Sequence, residues 1–453
     1  MKFIASACAG QRRGGNAKTL VSRVCTDSRQ VQAGDLFFAL AGGRFDGHDY
    51  LAEVARKGAA AVVVNRDKAP AKLPRCAVIA VDDPRQALGW LAARYRDDFD
   101  LPVIAVGGSN GKTTVKELIA AVLRQKLVTL WSEASFNNDI GVPLTLLRSE
   151  KAHQAGVLEV GTNHPGELAP LVQMVRPKFG VITNIGREHL EFFGDVAGVA
   201  QEEGWLAERL PADGKLFING DSEWAEHIAR RTRARVVRVG LLQTNDWRAR
   251  DVCVTQRGVA FNVDAPTAEL GGGYRVNLLG RHQASNALFA VAIGNELGLG
   301  RAEIQSGLAE CQSPKMRLQL WEANGVWVLD DAYNANADSM DAALQTLREL
   351  PCTGRRVAVL GDMAELGAQS AAAHEEVGRH AAELDVEQLF VVGKMAGALA
   401  SAARAAGLVR IFEFGDVETA ASAVKHFVKP GDLVLLKASR VVGLERLAEV
   451  LRA

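Results

Sequence analysis

Glycines, a lysine and two threonines fall together in Gly107-Gly108-Ser109-Asn110-Gly111-Lys112-Thr113-Thr114. Glycines let the backbone come close to an anion and adopt positive φ where a side chain would forbid it. Lys112 adds a full positive charge, and Thr113 stands where a hydroxyl meets Mg²⁺ in phosphate-binding loops. The apolar run Val103-Ile104-Ala105-Val106 before the loop predicts a buried strand. Val115 to Leu123 after it carries apolar residues at helical spacing. Strand, turn, Gly-Lys-Thr and helix form a cradle in which the opening N–H groups of the helix point at phosphates. The most common form of this loop has a leading glycine where Val106 stands. The chemistry implied by Gly108, Ser109, Asn110, Gly111, Lys112, Thr113 and Thr114 is binding of a nucleoside triphosphate.

Other candidates follow apolar runs in the same way. Glu159 ends Val157-Leu158-Glu159-Val160, and an acid there costs free energy unless a cation or donors face it. It reads as a Mg²⁺ ligand or, more plainly, as half of a structural ion pair. His189 closes Asn184-Ile185-Gly186-Arg187-Glu188-His189 after another run, and a metal-linked role is expected for it. Asp330-Asp331-Ala332-Tyr333-Asn334-Ala335-Asn336 could hold ribose hydroxyls and a polar substrate tail, although Asp and Asn are also ordinary turn residues. Lys437-Ala438-Ser439-Arg440 suits a carboxylate or phosphate, or a solvated helix start.

The elements that must position these residues read as alternating strands and helices. Strands are expected at 59–64, 103–106, 157–160, 179–183, 215–218, 326–329, 356–360, 388–392 and 433–436, with helices such as 51–58 and 371–384 between. This alternation predicts mostly parallel sheets with helices on both faces and ligands beyond the carboxyl ends of the strands. Three α/β domains are expected: a small N-terminal one at 1–98, a central P-loop parallel-sheet domain at 99–312, and a Rossmann-like C-terminal one at 313–453. The charged stretch 94–100 reads as a hinge between the first two.

Composition narrows the function classes. Of 453 residues, 53 are Lys or Arg and 53 are Asp or Glu, so no basic field exists to hold nucleic acid. No run approaches the roughly 20 apolar residues of a membrane span. The N-terminal apolar stretch is short and meets Gln11-Arg12-Arg13 at once, unlike an export signal. Six scattered cysteines without a Cys-x-x-Cys pair fit reduced thiols in a cytoplasm.

Taken together, the residues resemble the Mur ligases of peptidoglycan synthesis. The loop at 107–114 resembles their ATP loop. Ser135-Phe136-Asn137-Asn138-Asp139-Ile140-Gly141-Val142-Pro143-Leu144-Thr145, Asn163-His164-Pro165-Gly166-Glu167-Leu168, Asp331-Ala332-Tyr333-Asn334-Ala335-Asn336 and Gly361-Asp362-Met363-Ala364-Glu365-Leu366-Gly367 resemble the member that adds D-alanyl-D-alanine to a UDP-N-acetylmuramoyl-tripeptide. Thr26-Asp27-Ser28-Arg29 and Phe45-Asp46-Gly47-His48 extend the resemblance to the first domain.

The resemblance implies a UDP-sugar-binding first domain, an ATP-binding second and an amino-substrate-binding third. It implies Ser28 and Arg29 in the UDP-muramoyl pocket, and Asn137, Asn138 and Thr145 in the central substrate groove with Asn163 and His164 near it. His282 and Asn286 match a segment that meets adenine. Arg317 and Asp331 match residues that bring the third domain onto ATP, at γ-phosphate and ribose. Tyr333, Asn334 and Asn336 match the segment near adenosine and dipeptide. ATP and two Mg²⁺ ions are implied, with Thr113 and Glu159 on one ion and His189 on the other. Catalytic roles fall to Lys112, Glu159, His189 and Arg317.

Two departures stand out. Ala337 replaces a proline that usually follows the Asn-Ala-Asn segment. Many of these ligases also use a carbamylated lysine for the second Mg²⁺, but Val199-Ala200-Gln201-Glu202-Glu203-Gly204-Trp205 has none, and Glu203 falls at its place. Glu203 is expected to supply a carboxylate there. The expected protein is a cytoplasmic monomer that forms an acyl phosphate and then an amide. The competing readings are a diamino-acid-adding ligase of the same architecture and a P-loop NTPase switch.

Overall fold

Runs of valine, isoleucine and alanine set the sheets. Ala61–Asn65, Ala77–Val81, Val103–Gly107 and Leu433–Lys437 are buried along almost their whole length, as strands covered by helices on both faces must be. The computed structural model describes residues 1–14, 18–43 and 45–453. Two compact units result. The first takes Met1–Ala105, Leu127–Thr162 and Leu168–Lys178; the second takes Val106–Lys126, Asn163–Glu167 and Phe179–Ala453.

In the first unit, five strands run in the order Gln11–Arg13, Ala77–Val81, Ala61–Asn65, Leu36–Phe38, Val24–Cys25. Only the Gln11–Arg13 edge is antiparallel. Alternate residues feed two cores. Leu36, Phe38, Val63 and Ile79 pack with Leu88 on one face, while Phe37, Val62, Val64 and Val78 pack with Val54 on the other. Helix Pro84–Arg96 opens on Asp83, whose carboxylate accepts from the N–H groups of Arg85 and Gln86. It also corrects the expected hinge. Arg94 to Arg96 form its last turn, and the buried Arg96 guanidinium donates to the carbonyls of Val175, Phe99 and Leu101. This junction is tied down. Strand Thr129–Trp131 pairs in parallel with Ala155–Glu159, which carries Glu159 at its end.

In the second unit, strands Phe179–Ile182, Lys215–Asn219, Arg235–Gly240 and Trp247–Thr255 pair in parallel order. Gly258–Asp264 and Gly272–Val276 then continue the row antiparallel. That meander departs from the expected parallel pattern. Its hairpin turns at Gly258, where φ is +119° and a Cβ would lie 2.8 Å from the Asn277 Cα.

The C-terminal sheet runs Gln319–Ala323, Val326–Asp330, Leu433–Lys437, Arg356–Gly361, Gln388–Val392, Ile411–Phe414, antiparallel only in its first pair. Two helices matter for the site. Val196–Glu208 is capped by Asp195, which accepts from Gly198 N–H. Ala337–Glu349 is capped reciprocally by Asn336 and Ser339. Among the described residues no helix is long and apolar enough to cross a membrane.

Candidate active site

Helix Lys112–Leu123 starts directly after Gly111, which takes the left-handed conformation at φ +84°. A Cβ there would lie 3.0 Å from the amide oxygen of Asn286, so the glycine lets that asparagine sit under the loop. Gly108, at φ +109°, is more constrained, since a Cβ would stand 2.5 Å from Thr183 Oγ1 and 2.8 Å from the Asn184 carbonyl oxygen. Three loop N–H groups have protein acceptors. Gly108 N–H donates to Glu203 Oε2 at 2.7 Å, Ser109 N–H to the Asn184 carbonyl at 2.9 Å, and Asn110 N–H to Asn184 Oδ1 at 2.7 Å. These groups therefore hold the loop's shape. The first turn of the helix, from Gly111 through Thr114, is where the helix supplies no acceptor of its own.

Lys112 Nζ donates to the carbonyls of Gly108 and Ser109 and lies 3.2 Å from Glu188 Oε2. Glu203 is fully buried, and burial pushes its carboxyl up to about 7. Lys112 opposes that rise and Glu188 adds to it. Glu188 Oε1 and Glu203 Oε1 are buried oxygens without a hydrogen-bond partner among the described residues. Two carboxylates around one ammonium, each with an orphan oxygen, form a donor set that fits a divalent cation of the Mg²⁺ kind. Glu202, the neighbour of Glu203, accepts from Gly166 N–H at 2.9 Å, so adjacent glutamates of one helix tie two loops.

His189 holds a left-handed backbone, φ +48°. Its Nδ1 lies 2.5 Å from Glu365 Oε2, and Glu365 is itself left-handed at φ +60°. Such pairs of strained residues concentrate at functional sites. Where Nδ1–H donates to this carboxylate, the Nε2 lone pair is the one a metal would take. The His164 and Phe192 rings lie 4.2 Å apart, tilted at 49°, and Glu167 accepts from the N–H groups of Asn163 and His164.

The C-terminal candidates are engaged with one another. Asp331 Oδ2 receives Lys437 Nζ at 2.5 Å, and its Oδ1 accepts from Leu318 N–H. Lys437 also meets the Asn334 carbonyl and is almost fully buried. This corrects the reading of Lys437 as an open anion site, because its charge already neutralises Asp331. Arg317 stacks 4.2 Å from the Tyr333 ring centroid. Asn336 Nδ2 donates to Asn110 Oδ1 at 2.9 Å, bringing this segment onto the nucleotide loop. His282 has an exposed edge yet is surrounded by protein, which lowers its basicity; Asp331 opposes that effect and Lys437 adds to it.

In the first unit, Glu159 is buried, with Oε1 accepting from Asn137 Nδ2 at 2.8 Å and Oε2 without a partner among the described residues. Asn138 Oδ1 accepts from the N–H groups of Ile140 and Gly141, just ahead of the helix Gly141–Leu146. Thr145 is buried, its hydroxyl donating to the Gly141 carbonyl. Arg29 is exposed and forked onto Asp27, while Ser28 offers its carbonyl to Lys57. Sequence reasoning missed Asn184, Glu188, Glu202 and Glu365. Their signal was present, since Asn184 and Glu188 follow the end of the strand Phe179–Ile182 and Glu365 lies in the Gly-Asp-Met motif.

A glycine-rich nucleotide loop with buried carboxylates around it, in an α/β architecture of three domains, defines an ATP-binding enzyme class. Family models match three spans: "Mur ligase family, catalytic domain" at 20–96, "Mur ligase middle domain" at 106–294, and "Mur ligase, glutamate ligase domain" at 316–440. The chain belongs to the Mur ligase family. It is 38% identical to the UDP-N-acetylmuramoyl-tripeptide–D-alanyl-D-alanine ligase of Escherichia coli, over 96% of this chain and 94% of that one. A crystal structure of MurF from Acinetobacter baumannii superposes with a TM-score of 0.91 at 31% identity, covering 100% of this chain and 98% of that one. The Thermotoga maritima MurF ligase, solved in complex with ADP, superposes at 0.82 and 26% identity, covering 96% and 98%.

Proposed function

We propose that this chain joins D-alanyl-D-alanine to UDP-N-acetylmuramoyl-tripeptide at the expense of ATP, as a cytoplasmic monomer. One observation carries the reading: the loop at 107–114 is built against Glu188, Glu203 and the Asn336 segment in a chain 38% identical to such a ligase over almost its whole length. The domain spans in this reading are 1–98 for the UDP-sugar, 99–312 for ATP and 313–453 for the amine. Ser28, Arg29, Asn137, Asn138, Thr145, Asn163 and His164 belong to the sugar-peptide side. Tyr333, Asn334 and Asn336 lie near adenosine and the dipeptide, and His282, Asn286, Arg317 and Asp331 serve the nucleotide.

In this mechanism a tripeptide carboxylate oxygen attacks the γ-phosphorus of ATP. ADP leaves and an acyl phosphate remains. The amine of D-alanyl-D-alanine attacks the acyl carbon, phosphate departs with the bridging oxygen, and the amine loses a proton as the amide forms. Lys112 exchanges its loop carbonyls for phosphate oxygens, and Arg317 approaches the γ-phosphate. The residues' work is positioning and charge stabilisation, with no covalent nucleophile. Thr113, Glu159, His189 and Glu203 are the residues that would hold Mg²⁺, which would supply positive charge against the phosphate oxygens. Glu203 takes the place of a carbamylated lysine, and its orphan oxygen supports that assignment.

An omission assay tests the reading. Phosphate release is expected only when UDP-muramoyl tripeptide and D-alanyl-D-alanine are both present with ATP and Mg²⁺. Release that ignores both substrates would identify an NTPase switch instead. Release driven by a free diamino acid on the dipeptide precursor would identify the other ligase.

A further inference from the structure

The loop at 184–189 is gripped from two sides within the second unit. On its nucleotide side, Asn184 accepts from Ser109 and Asn110, and Gly186 N–H donates to Ser109 Oγ at 2.9 Å. On its other side, the C-terminal helices hold Arg187. Its Nε donates to Asp338 Oδ1 at 2.7 Å, its backbone N–H to Asp338 Oδ2 at 2.7 Å, and its Nη1 to Glu376 Oε2 at 2.6 Å. Asp341 stands 3.9 Å from Nη2 and receives His380 at 2.6 Å. Asp341, Glu376 and His380 offer ligand atoms within 4.8 Å of one another, a grouping that could hold a metal ion. Arg187 already supplies the positive charge there.

Several features make this more than an ordinary ion pair. An isolated exposed pair contributes little, but here a planar fork meets two carboxylates while the same residue's N–H meets one of them, which fixes orientation. Residue 186 must be glycine for the approach, because a Cβ would collide with the Asp338 carboxylate. The next two residues are Glu188, against Lys112, and His189, against Glu365. Arg187 is thus the residue that leads directly into both.

The geometry points to Arg187 as a positioning residue: clamped by Asp338 and Glu376, it holds Glu188 and His189 against the nucleotide loop, so that turnover depends on a contact touching no reacting atom. The turnover clause rests on the ligase reading above; the clamp does not.

The test compares wild type, Arg187→Ala, Arg187→Lys and Glu376→Gln by hydrogen exchange at 184–189 and 337–342, by ADP affinity, and by amine-dependent phosphate release. Arg187→Ala is expected to speed exchange in both segments and to lower kcat about tenfold or more, as small misplacements at reacting centres do. ADP affinity should stay within about threefold of wild type, because the nucleotide loop's own contacts persist. Arg187→Lys, keeping charge without the fork, should fall between. Unchanged exchange and kcat, or exchange raised evenly over the whole chain, would overturn the proposal. If Arg187→Ala does not fold, Glu376→Gln decides, with smaller changes in the same two segments expected and none contradicting. If wild type releases no amine-dependent phosphate, the ligase reading fails and exchange alone judges the clamp.

Discussion

Glu203, the proposed metal ligand, is a fully buried carboxyl group that accepts from the Gly108 N–H. Its folded pKa, about 7, lies above its ordinary 4.5 because burial penalises the charge. A group raised in this way contributes stability that is full below the ordinary value and lost as pH climbs to the folded one. The denaturant midpoint of the metal-free protein should therefore fall between about pH 4.5 and 7 through this group, and Glu203→Gln should flatten that part of the curve. In the proposed reading Mg²⁺ would act in the opposite sense, since its binding would displace the proton. Calorimetry in buffers of different ionisation enthalpy should find proton release on Mg·ATP binding near pH 6.5 in wild type, and less in Glu203→Gln. Equal release in both would remove Glu203 from the metal site. Gly108 makes a separate prediction. A Cβ would press on Thr183 and the Asn184 carbonyl at a left-handed φ, so Gly108→Ala should cost about 1–3 kcal/mol of stability. Its turnover should fall roughly a hundredfold. A variant with wild-type melting and kcat would show that the loop tolerates a side chain.

Elements explain how much of this was legible beforehand. The strand-loop-helix at 103–123 was readable because β-branched burial, glycine and helical periodicity all change at the same boundary. The antiparallel meander after Trp247 was missed although its burial partly alternates; arginines and aspartates among its residues hide the period of two. Asp331 and Lys437 illustrate a different limit. Each read as a ligand in isolation, but 106 positions separate two residues that neighbouring parallel strands bring to 2.5 Å. The helix Val196–Glu208 adds a prediction at this scale. Asp195 caps it and Glu202 and Glu203 lie on it, so Asp195→Ala should lower stability by about 1 kcal/mol, with Asp195→Ser recovering most of it. An unchanged denaturant midpoint would show that tertiary packing alone holds this helix.

At the scale of the molecule, the Arg187 contacts show why domain-level function resists reading from sequence. Asp338 and Glu376 lie 151 and 189 positions from Arg187, with no local pattern linking them. The nucleotide loop was visible; what it is coupled to was not. The central claim is that this loop activates a carboxylate. Supplying tripeptide with ¹⁸O in its reacting carboxylate, and analysing the released phosphate by mass spectrometry, tests that claim most directly. One ¹⁸O atom per phosphate is the predicted result, because the bridging oxygen of an acyl phosphate departs with phosphorus. Unlabelled phosphate from labelled tripeptide, with ¹⁸O instead entering from labelled water, would contradict it.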